Sequence, residues 1–319
     1  MNVEKKILMS KSILITGVGG FIGSKLATKL LTLGYDVTGI DLLKYDSSSL
    51  NHLFLFSNFK FVKADITKEK IIKKFIRHKN FVIPLAALVG APLCEKFKKE
   101  AVSVNVESIK LIIKHIKKNQ NIIYPTTNSG YGIGEKGYCT ETSPLRPISL
   151  YGKTKVEAEK IIMKHKNAIS FRLATVFGYS YRMRTDLLVN NFVYNAIKNR
   201  ELKIFEPHFR RNFVHIDDVV NAFIFAIDNF RNMKSNIYNL GLSAANLSKI
   251  QLAKKIKNNI PGLKISTKIN SKDPDKRDYF VSNKKIEKKG FKAIISLDSG
   301  IKELIKVFSN SRKNIINNY

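Results

Sequence analysis

A glycine-rich turn near the start of the chain limits the folds open to this sequence more than any other feature. The apolar run Ile13-Leu14-Ile15-Thr16 predicts a short buried strand, and it leads directly into Gly17-Val18-Gly19-Gly20-Phe21-Ile22-Gly23. Residues 21–33 then have the spacing of a helix, which stops before Gly34. A strand, a glycine turn and a helix in this order are typical of a dinucleotide-binding fold.

Each glycine at the fingerprint spacing has a physical task. Gly17 allows the tight turn, Gly20 lets the backbone approach a pyrophosphate, and Gly23 lets the helix pack close to the strand. The first helical residues, Phe21 and Ile22, present N–H groups and the positive end of the helix dipole to the phosphates. We therefore predict that these five residues bind a dinucleotide.

Strand and helix patterns alternate along most of the chain. Strands are predicted at residues 36–41, 59–62, 81–83, 122–124, 170–173 and 237–240, and helices at residues 100–118, 150–166 and 186–199. This alternation predicts an α/β fold with a doubly wound parallel sheet of the Rossmann type. We expect a cofactor domain at residues 1–178, to which residues 213–241 return, and a smaller substrate-binding lobe formed mainly by residues 179–319.

A carboxylate at the end of the second strand indicates which dinucleotide is bound. Asp41 lies 18 positions after Gly23, where it can accept hydrogen bonds from the ribose hydroxyls of the adenosine. It would repel a 2′-phosphate, so NAD is predicted rather than NADP; the alternative is that Asp41 only caps its strand. Asp65 and Ile66, after the third strand, are predicted to lie beside the adenine.

A tyrosine and a lysine have the spacing needed for redox chemistry. Tyr151 and Lys155 lie four residues apart at the start of a predicted helix, hence on one face. A tyrosine pKa of about 10 is too high for a base at neutral pH, and we expect the Lys155 ammonium to lower the pKa of Tyr151. Tyr151 can then accept a hydroxyl proton while hydride leaves the same carbon for NAD, and Lys155 can hold the nicotinamide ribose.

Hydroxyl side chains follow the fifth predicted strand, in the run Thr126-Thr127-Asn128-Ser129. The carboxyl edge of a parallel sheet forms the ligand crevice. Thr127 is therefore the predicted third catalytic residue, hydrogen-bonded to the reacting oxygen. The alternative is an ordinary turn rich in serine and threonine.

The composition limits the class of protein. The 319-residue chain has no apolar run of the roughly 20 residues that span a bilayer, and its two cysteines, Cys94 and Cys139, fall in no metal-ligand pattern. A cytoplasmic protein without a metal or a membrane segment is predicted. The net charge of +31 raises a nucleic-acid alternative. The lysines are spread over nearly all predicted helices, so we interpret the charge as that of solvent-exposed helix faces, which can attract anionic substrates. No nucleic-acid partner is predicted.

Together these residues resemble the extended short-chain dehydrogenase/reductase family, which contains NAD-dependent nucleotide-sugar epimerases and dehydratases. The glycine turn, Leu85-Ala86-Ala87 beside the cofactor, Thr127, and the pair Tyr151 and Lys155 match its motifs. Residues 211–218 are similar to a segment whose arginine grips the nucleotide diphosphate. The resemblance implies a nucleoside-diphosphate sugar as substrate and a homodimer formed through residues 100–118 and 150–166. It also implies that Arg211 and Arg277 hold the diphosphate. The further substrate-binding residues that we predict are Asn128, Ser129, Arg182, Arg184 and Asn190.

The chain departs from the family pattern at three places. Pro84 stands where a histidine is usual, and Thr175 stands where an asparagine is usual. The 4,6-dehydratases of the family carry an Asp-Glu pair after the catalytic threonine, which protonates and removes the C6 hydroxyl. This chain has Asn128 and Ser129 there. Dehydration is therefore not expected.

Three longer stretches, residues 83–94, 127–136 and 274–279, are similar to one branch of the family, the GDP-heptose 4-dehydrogenases of bacterial capsule synthesis. This resemblance implies oxidation of the sugar C4 hydroxyl to a ketone. An epimerase shares that first step and then returns the hydride, so it remains open. A non-catalytic protein that senses NAD or binds nucleic acid is the remote alternative. Such proteins tend to lose the tyrosine–lysine pair, which this chain keeps.

Overall fold

A parallel sheet of seven strands forms the centre of the protein, which confirms the predicted fold class. The computed structural model describes residues 11–45, 48–268 and 277–310, so residues 274–276 of the third family stretch lie outside it. The strands along the chain are β1 (Ser12–Thr16), β2 (Asp36–Asp41), β3 (Phe59–Lys63), β4 (Phe81–Pro84), β5 (Asn121–Thr127), β6 (Ile133–Cys139), β7 (Ala168–Leu173), β8 (Thr175–Phe177), β9 (Glu201–Phe205), β10 (Arg210–His215), β11 (Asn236–Leu240), β12 (Asn246–Ser248), β13 (Lys264–Lys268) and β14 (Asp278–Val281).

Helices cover both faces of this sheet. They are α1 (Phe21–Thr32), α2 (Glu69–Phe75), α3 (Ala91–Lys96), α4 (Lys98–Val102), α5 (Ser108–His115), α6 (Leu150–Ile162), α7 (Leu188–Asn199), α8 (Ile216–Asp228), α9 (Phe230–Met233), α10 (Lys249–Lys257), α11 (Lys284–Glu287) and α12 (Leu297–Asn310). Leu30 of α1 and Phe223 of α8 belong to one buried cluster, and Ile112 of α5 and Ile162 of α6 to another. None of the helices in the described ranges is both long and apolar enough to cross a membrane.

The strand order places a ligand crevice at the carboxyl end of β1. The order is β11-β7-β5-β4-β1-β2-β3, and all neighbouring strands are parallel. The chain winds from β1 through β2 to β3, then crosses to β4 and continues in the other direction. This reversal opens a crevice between β1 and β4. Thr16 pairs with Pro84 there, so the glycine turn and the residues after β4 meet at one edge.

A second hydrophobic core lies beside the large sheet. Val193 of α7, Leu252 of α10 and Leu304 of α12 are among its fully buried side chains. Three small sheets accompany it, in the orders β12-β10-β8, β13-β9 and β14-β6. β11 joins the edge of the large sheet beside β7. The division into a cofactor domain and a substrate lobe at residue 178 stays a prediction.

The helix predicted over residues 100–118 is interrupted, and the short helix α3 before it was not predicted. α4 and α5 are separated by a π-helical turn, Ser103–Glu107, at whose centre Asn105 is buried. The Asn105 side chain accepts from Leu88 N at 2.8 Å and donates to Leu88 O and to Thr154 Oγ1. The wider turn thus directs an amide into the loop after β4 and onto α6, a recurrent use of π-turns near functional sites.

The helices expected to form a dimer interface bury most of their apolar residues within the chain. Val106, Ile109 and Val156 are nearly inaccessible to solvent in the single chain, whereas Val102 is 40% exposed. The helix predicted over residues 150–166 ends earlier, at Ile162, as α6. The homodimer stays a prediction.

Candidate functional site

One cavity of about 520 Å³ extends along the carboxyl edge of the large sheet. It brings together nearly all of the residues predicted for the site. The predicted residues that line it are Gly17, Gly20, Phe21, Ile22, Gly23, Asp41, Asp65, Ile66, Leu85, Ala86, Ala87, Thr127, Ser129, Tyr151, Lys155, Arg182, Arg184, Arg211 and Arg277.

The glycine turn has the form that the approach of a dinucleotide requires. Gly17 has φ +75°, and a Cβ built on it would lie 2.5 Å from Ala86 N. A Cβ on Gly23 would lie 2.2 Å from Gly17 O, so any side chain there would separate α1 from β1. No side chain within the described ranges caps the start of α1. The first N–H groups of this helix therefore suit a pyrophosphate.

Asp41 is held by backbone amides at the end of β2. Its Oδ2 accepts from Gly19 N at 2.9 Å, and its Oδ1 accepts from Leu43 N at 2.8 Å. Burial raises the pKa of Asp41, and these amides together with Arg182 oppose the rise. A carboxylate has about four acceptor positions, so Asp41 keeps acceptor capacity for a ribose hydroxyl. Asp41 therefore fits NAD, as predicted from its position.

Arg182, which we predict as a substrate contact, lies at the cofactor end of the cavity. Its charge acts on Asp41, and its guanidinium lies 5.3 Å from the centre of the Tyr45 ring. Tyr45 also lines the cavity and was not predicted. Asp65 accepts from Thr67 N and Thr67 Oγ1, so it shapes the turn after β3 beside the same end.

The hydroxyl groups predicted for catalysis meet where β5 ends and α6 begins. Ser149 caps α6 by accepting from Gly152 N at 3.2 Å, which places Tyr151 in the first turn. Thr127 Oγ1 lies 2.6 Å from Ser129 Oγ and accepts from Ser129 N at 3.1 Å. The side chains of Thr127 and Tyr151 are hydrogen-bonded. A serine just before the predicted helix is an N-cap signal that the sequence itself contains.

The expected effect of Lys155 on Tyr151 is wrong for the protein alone. Burial raises the pKa of Tyr151 to about 12, and the charges that oppose this rise are those of Arg184 and Arg277, not that of Lys155. Burial also lowers the pKa of Lys155 to about 7. Its Nζ lies 4.0 Å from the centre of the Tyr124 ring. At pH 7 about half of the Lys155 side chains are neutral. Lys155 therefore does little to lower the pKa of the neighbouring phenol.

Three further arginines line the cavity. Arg277 donates to Ser129 Oγ at 2.7 Å, and Arg211 lies 5.8 Å from the centre of the Tyr279 ring. Arg184 forms a two-point ion pair with Asp186, whose Oδ1 accepts from Nε at 3.0 Å. Asp186 and the buried Lys249 line the cavity too and were not predicted. An arginine and an acidic residue two positions apart were the only sequence signal for Asp186.

Two predicted substrate contacts do not line the cavity. Asn190 accepts from Gly178 N and donates to Gly178 O and Arg184 O, so its amide supports the segment that carries Arg184. It is a structural residue rather than a ligand contact. Asn128 is buried, and its side chain makes no hydrogen bond to any described residue.

The sequence is similar to proteins of nucleotide-sugar metabolism. A family model described as the NAD dependent epimerase/dehydratase family matches residues 13–241. Protein CapI of Staphylococcus aureus is 30% identical over 226 residues, which cover 66% of this chain and 67% of CapI. The dTDP-D-glucose 4,6-dehydratase of Homo sapiens is 25% identical over 328 residues, 96% of this chain and 92% of that enzyme.

Solved structures agree in fold. A UDP-glucuronic acid 4-epimerase from Bacillus cereus, in complex with UDP-glucuronic acid and NAD, has a TM-score of 0.81 and is 25% identical, covering 93% of this chain and 99% of that one. A dTDP-glucose 4,6-dehydratase from Bacillus anthracis, in complex with NAD, has a TM-score of 0.82 at 20% identity over 95% of this chain and 98% of that one. The chain therefore belongs to the NAD dependent epimerase/dehydratase family, and it is an enzyme whose cofactor is NAD.

Proposed function

We propose that the protein oxidises the C4 hydroxyl of a nucleoside-diphosphate sugar to a ketone. One observation carries this proposal: Thr127, Tyr151 and Lys155 line the same cavity as the glycine turn, and arginines line it as well. A guanidinium binds a diphosphate through two parallel hydrogen bonds. The cavity therefore combines a place for a dinucleotide, a proton acceptor and an anion grip.

Each residue has a defined part in this reaction. NAD, when bound, supplies the carbon that receives the hydride and a positive charge that lowers the pKa of a nearby phenol. Tyr151 takes the proton of the C4 hydroxyl as the hydride leaves the same carbon, and Thr127 orients that hydroxyl. Lys155 holds the nicotinamide ribose, and Arg211 and Arg277 hold the diphosphate.

The side chains after Thr127 argue against dehydration. Removal of a C6 hydroxyl needs a carboxylic acid to protonate it as it leaves. Asn128 is an amide, and the hydroxyl of Ser129 is engaged by Thr127 and Arg277. Neither group supplies a proton as an acid would. The proposed reaction therefore ends at a 4-keto sugar with its C6 hydroxyl in place.

GDP-heptose is the proposed substrate, and surface-polysaccharide synthesis in the cytoplasm the proposed setting. The resemblance of residues 83–94 and 127–136 to the GDP-heptose 4-dehydrogenases supports the sugar. The same resemblance, to enzymes of capsule synthesis, supports the polysaccharide role. A nucleotide-sugar 4-epimerase is the second candidate, because the Bacillus cereus epimerase covers 93% of this chain and binds NAD.

Product analysis separates these candidates. We expect incubation with GDP-heptose and NAD to yield a 4-keto sugar and an equal amount of NADH, measured by mass spectrometry and absorbance. The Tyr151→Phe variant, which cannot accept the proton, should lose about 10²–10⁴-fold in kcat. A C4 epimer without accumulating NADH would favour the epimerase, and a 4-keto-6-deoxy sugar would contradict the proposal. UDP- and dTDP-hexoses, tested in parallel, examine the choice of nucleotide and sugar.

A further inference from the structure

A row of hydrogen-bonded side chains joins the arginine before β14 to the tyrosine of α6. Arg277 Nη1 donates to Ser129 Oγ at 2.7 Å, and Ser129 Oγ lies 2.6 Å from Thr127 Oγ1. Thr127 is hydrogen-bonded in turn to the side chain of Tyr151. Ser129 and Thr127 are buried. Hydrogen bonds in such a shielded row polarise one another more than they would in water.

The donors of this row can all point toward Tyr151. An arginine side chain only donates, so Ser129 Oγ accepts from Arg277, and its own hydrogen can be donated to Thr127 Oγ1. The Ser129 N–H also donates to Thr127 Oγ1, at 3.1 Å. With Ser129 as the hydroxyl donor, Thr127 Oγ1 accepts from Ser129 twice, and its own hydrogen is available to the oxygen of Tyr151. This arrangement matches an ionised tyrosine, which accepts and has no hydrogen to donate.

We propose that Arg277, Ser129 and Thr127 form a polarised hydrogen-bond chain that stabilises the phenolate of Tyr151. Arg277 and Ser129 act as positioning residues, and the proposal rests on the proposed role of Tyr151 as proton acceptor. No proton passes along the chain. Each hydroxyl keeps its hydrogen and turns its dipole toward the negative charge. A residue next to β14 thus takes part in the chemistry as well as in the grip on the diphosphate.

Other charged and titratable groups also surround Tyr151. Arg184, after β8, lowers the pKa of Tyr151, as Arg277 does, and Cys94 of α3 raises it. Tyr124 of β5 interacts with Tyr151, and Lys155 of α6 lies over the ring of Tyr124. Ser129→Ala touches none of Arg184, Cys94, Tyr124 and Lys155, and it removes the acceptor of Arg277. A change in the pKa of Tyr151 in such a variant would therefore measure the effect of the hydrogen-bond chain.

The Ser129→Ala variant tests the chain, and Ser129→Thr is its matched control because it keeps the hydroxyl. We expect Ser129→Ala to move the acid limb of the kcat/KM profile about one pH unit upward, and to lower kcat near neutral pH about tenfold. Ser129→Thr should restore the profile. The affinity of each variant for NAD reports whether the cleft is intact.

A second control separates this effect from the loss of a substrate contact. Arg211 lines the same cavity but is not a member of the hydrogen-bond chain. Arg211→Met should raise KM and leave the acid limb where it is in the wild type. Arg277→Met should raise KM and also move the limb upward, because it removes both a diphosphate contact and the first donor.

A titration without substrate separates this inference from the proposed function. The pKa of Tyr151 in the NAD complex is read from tyrosinate absorption, as the difference between a protein and its Tyr151→Phe derivative. We expect a higher pKa in Ser129→Ala than in the wild type. If the pKa of Tyr151 is unchanged in Ser129→Ala and only KM changes, the hydrogen-bond chain does not stabilise the phenolate. Ser129 is then a substrate contact. Absence of GDP-heptose turnover would overturn the proposed substrate and not this titration.

Discussion

Lys155 illustrates at the scale of one residue how a buried charge serves a site and weakens the fold. Its side chain is 5% exposed, and burial lowers its pKa from 10.5 to about 7. The unfolded chain therefore binds more protons than the folded chain between these two pH values. By linkage, this residue makes the folded state less stable at low pH, and the loss is relieved as the pH rises from about 7 toward 10.5.

The Lys155→Met variant should accordingly be more stable than the wild type without NAD. The gain should be largest below pH 7 and shrink as the pH rises, because methionine has no charge to desolvate. Urea unfolding at several pH values measures it. Turnover should be lost in the same variant. Lys153→Met, at the exposed neighbouring position, should change neither quantity, and an equal pH dependence in Lys155→Met and the wild type would contradict the argument.

The identity of most site residues was predictable from sequence, but their surroundings were not. Tyr151 and Lys155 were placed on one helix face by their spacing alone. The pKa of Tyr151 depends instead on Arg184 and Arg277, which come to it from distant parts of the chain. The fold likewise brings Arg182 close to Asp41, from which it is distant in sequence. Spacing describes neighbours along the chain, whereas electrostatics depends on neighbours in space.

At the scale of secondary structure, a buried ion pair fastens α6 to the sheet. Arg172 of β7 donates from Nη2 to Glu159 Oε1 at 2.8 Å, and Ser170 Oγ donates to Glu159 Oε2 at 2.9 Å. Arg172 also donates to the hydroxyl of Tyr131, which in turn donates to Asn239 of β11 at 2.6 Å. Glu159 is one turn beyond Lys155. The helix that carries Tyr151 and Lys155 is thus anchored to β7 by charge as well as by packing.

Removal of one partner should therefore cost more than removal of both. Arg172→Met leaves the carboxylate of Glu159 buried without its counter-ion, and we expect the free energy of unfolding to fall by about 3–5 kcal/mol. Adding Glu159→Leu should recover a large part of this loss. Urea unfolding of the three variants closes the double-mutant cycle. A double variant no more stable than Arg172→Met would show that the unpaired carboxylate of Glu159 is not what destabilises the single variant.

Elements with a strong local pattern were predicted, and elements that depend on distant partners were not. β2 was predicted at residues 36–41, the bounds it has in the structure. β8 and β12 have three residues each and exist because both pair with β10. Three residues contain too little periodicity to indicate a strand. The interruption of the helix at Ser103–Glu107 likewise depends on the contacts of Asn105, which no local pattern encodes.

The whole molecule carries a net charge of +31, and the proposed substrate, a nucleotide sugar, is anionic. Opposite charges speed association when the field extends beyond the surface. Raising the ionic strength from about 10 mM to about 150 mM shortens the screening length from about 30 Å to about 8 Å. We expect kcat/KM for the nucleotide sugar to fall severalfold over this range, with kcat nearly unchanged. A kcat/KM that does not depend on salt would show that the lysines only solvate the surface.

The parallel pairing of β14 with β6 has a consequence for the order in which the site forms during synthesis. β6 and the glycine turn leave the ribosome early, whereas β14 and the neighbouring Arg277 leave it after β11 has completed the large sheet. A nascent chain that has emerged as far as β11 already contains all seven strands that form the NAD crevice. We therefore expect growing chains to be able to bind the cofactor before they can bind the sugar, with the arginine beside β14 arriving last.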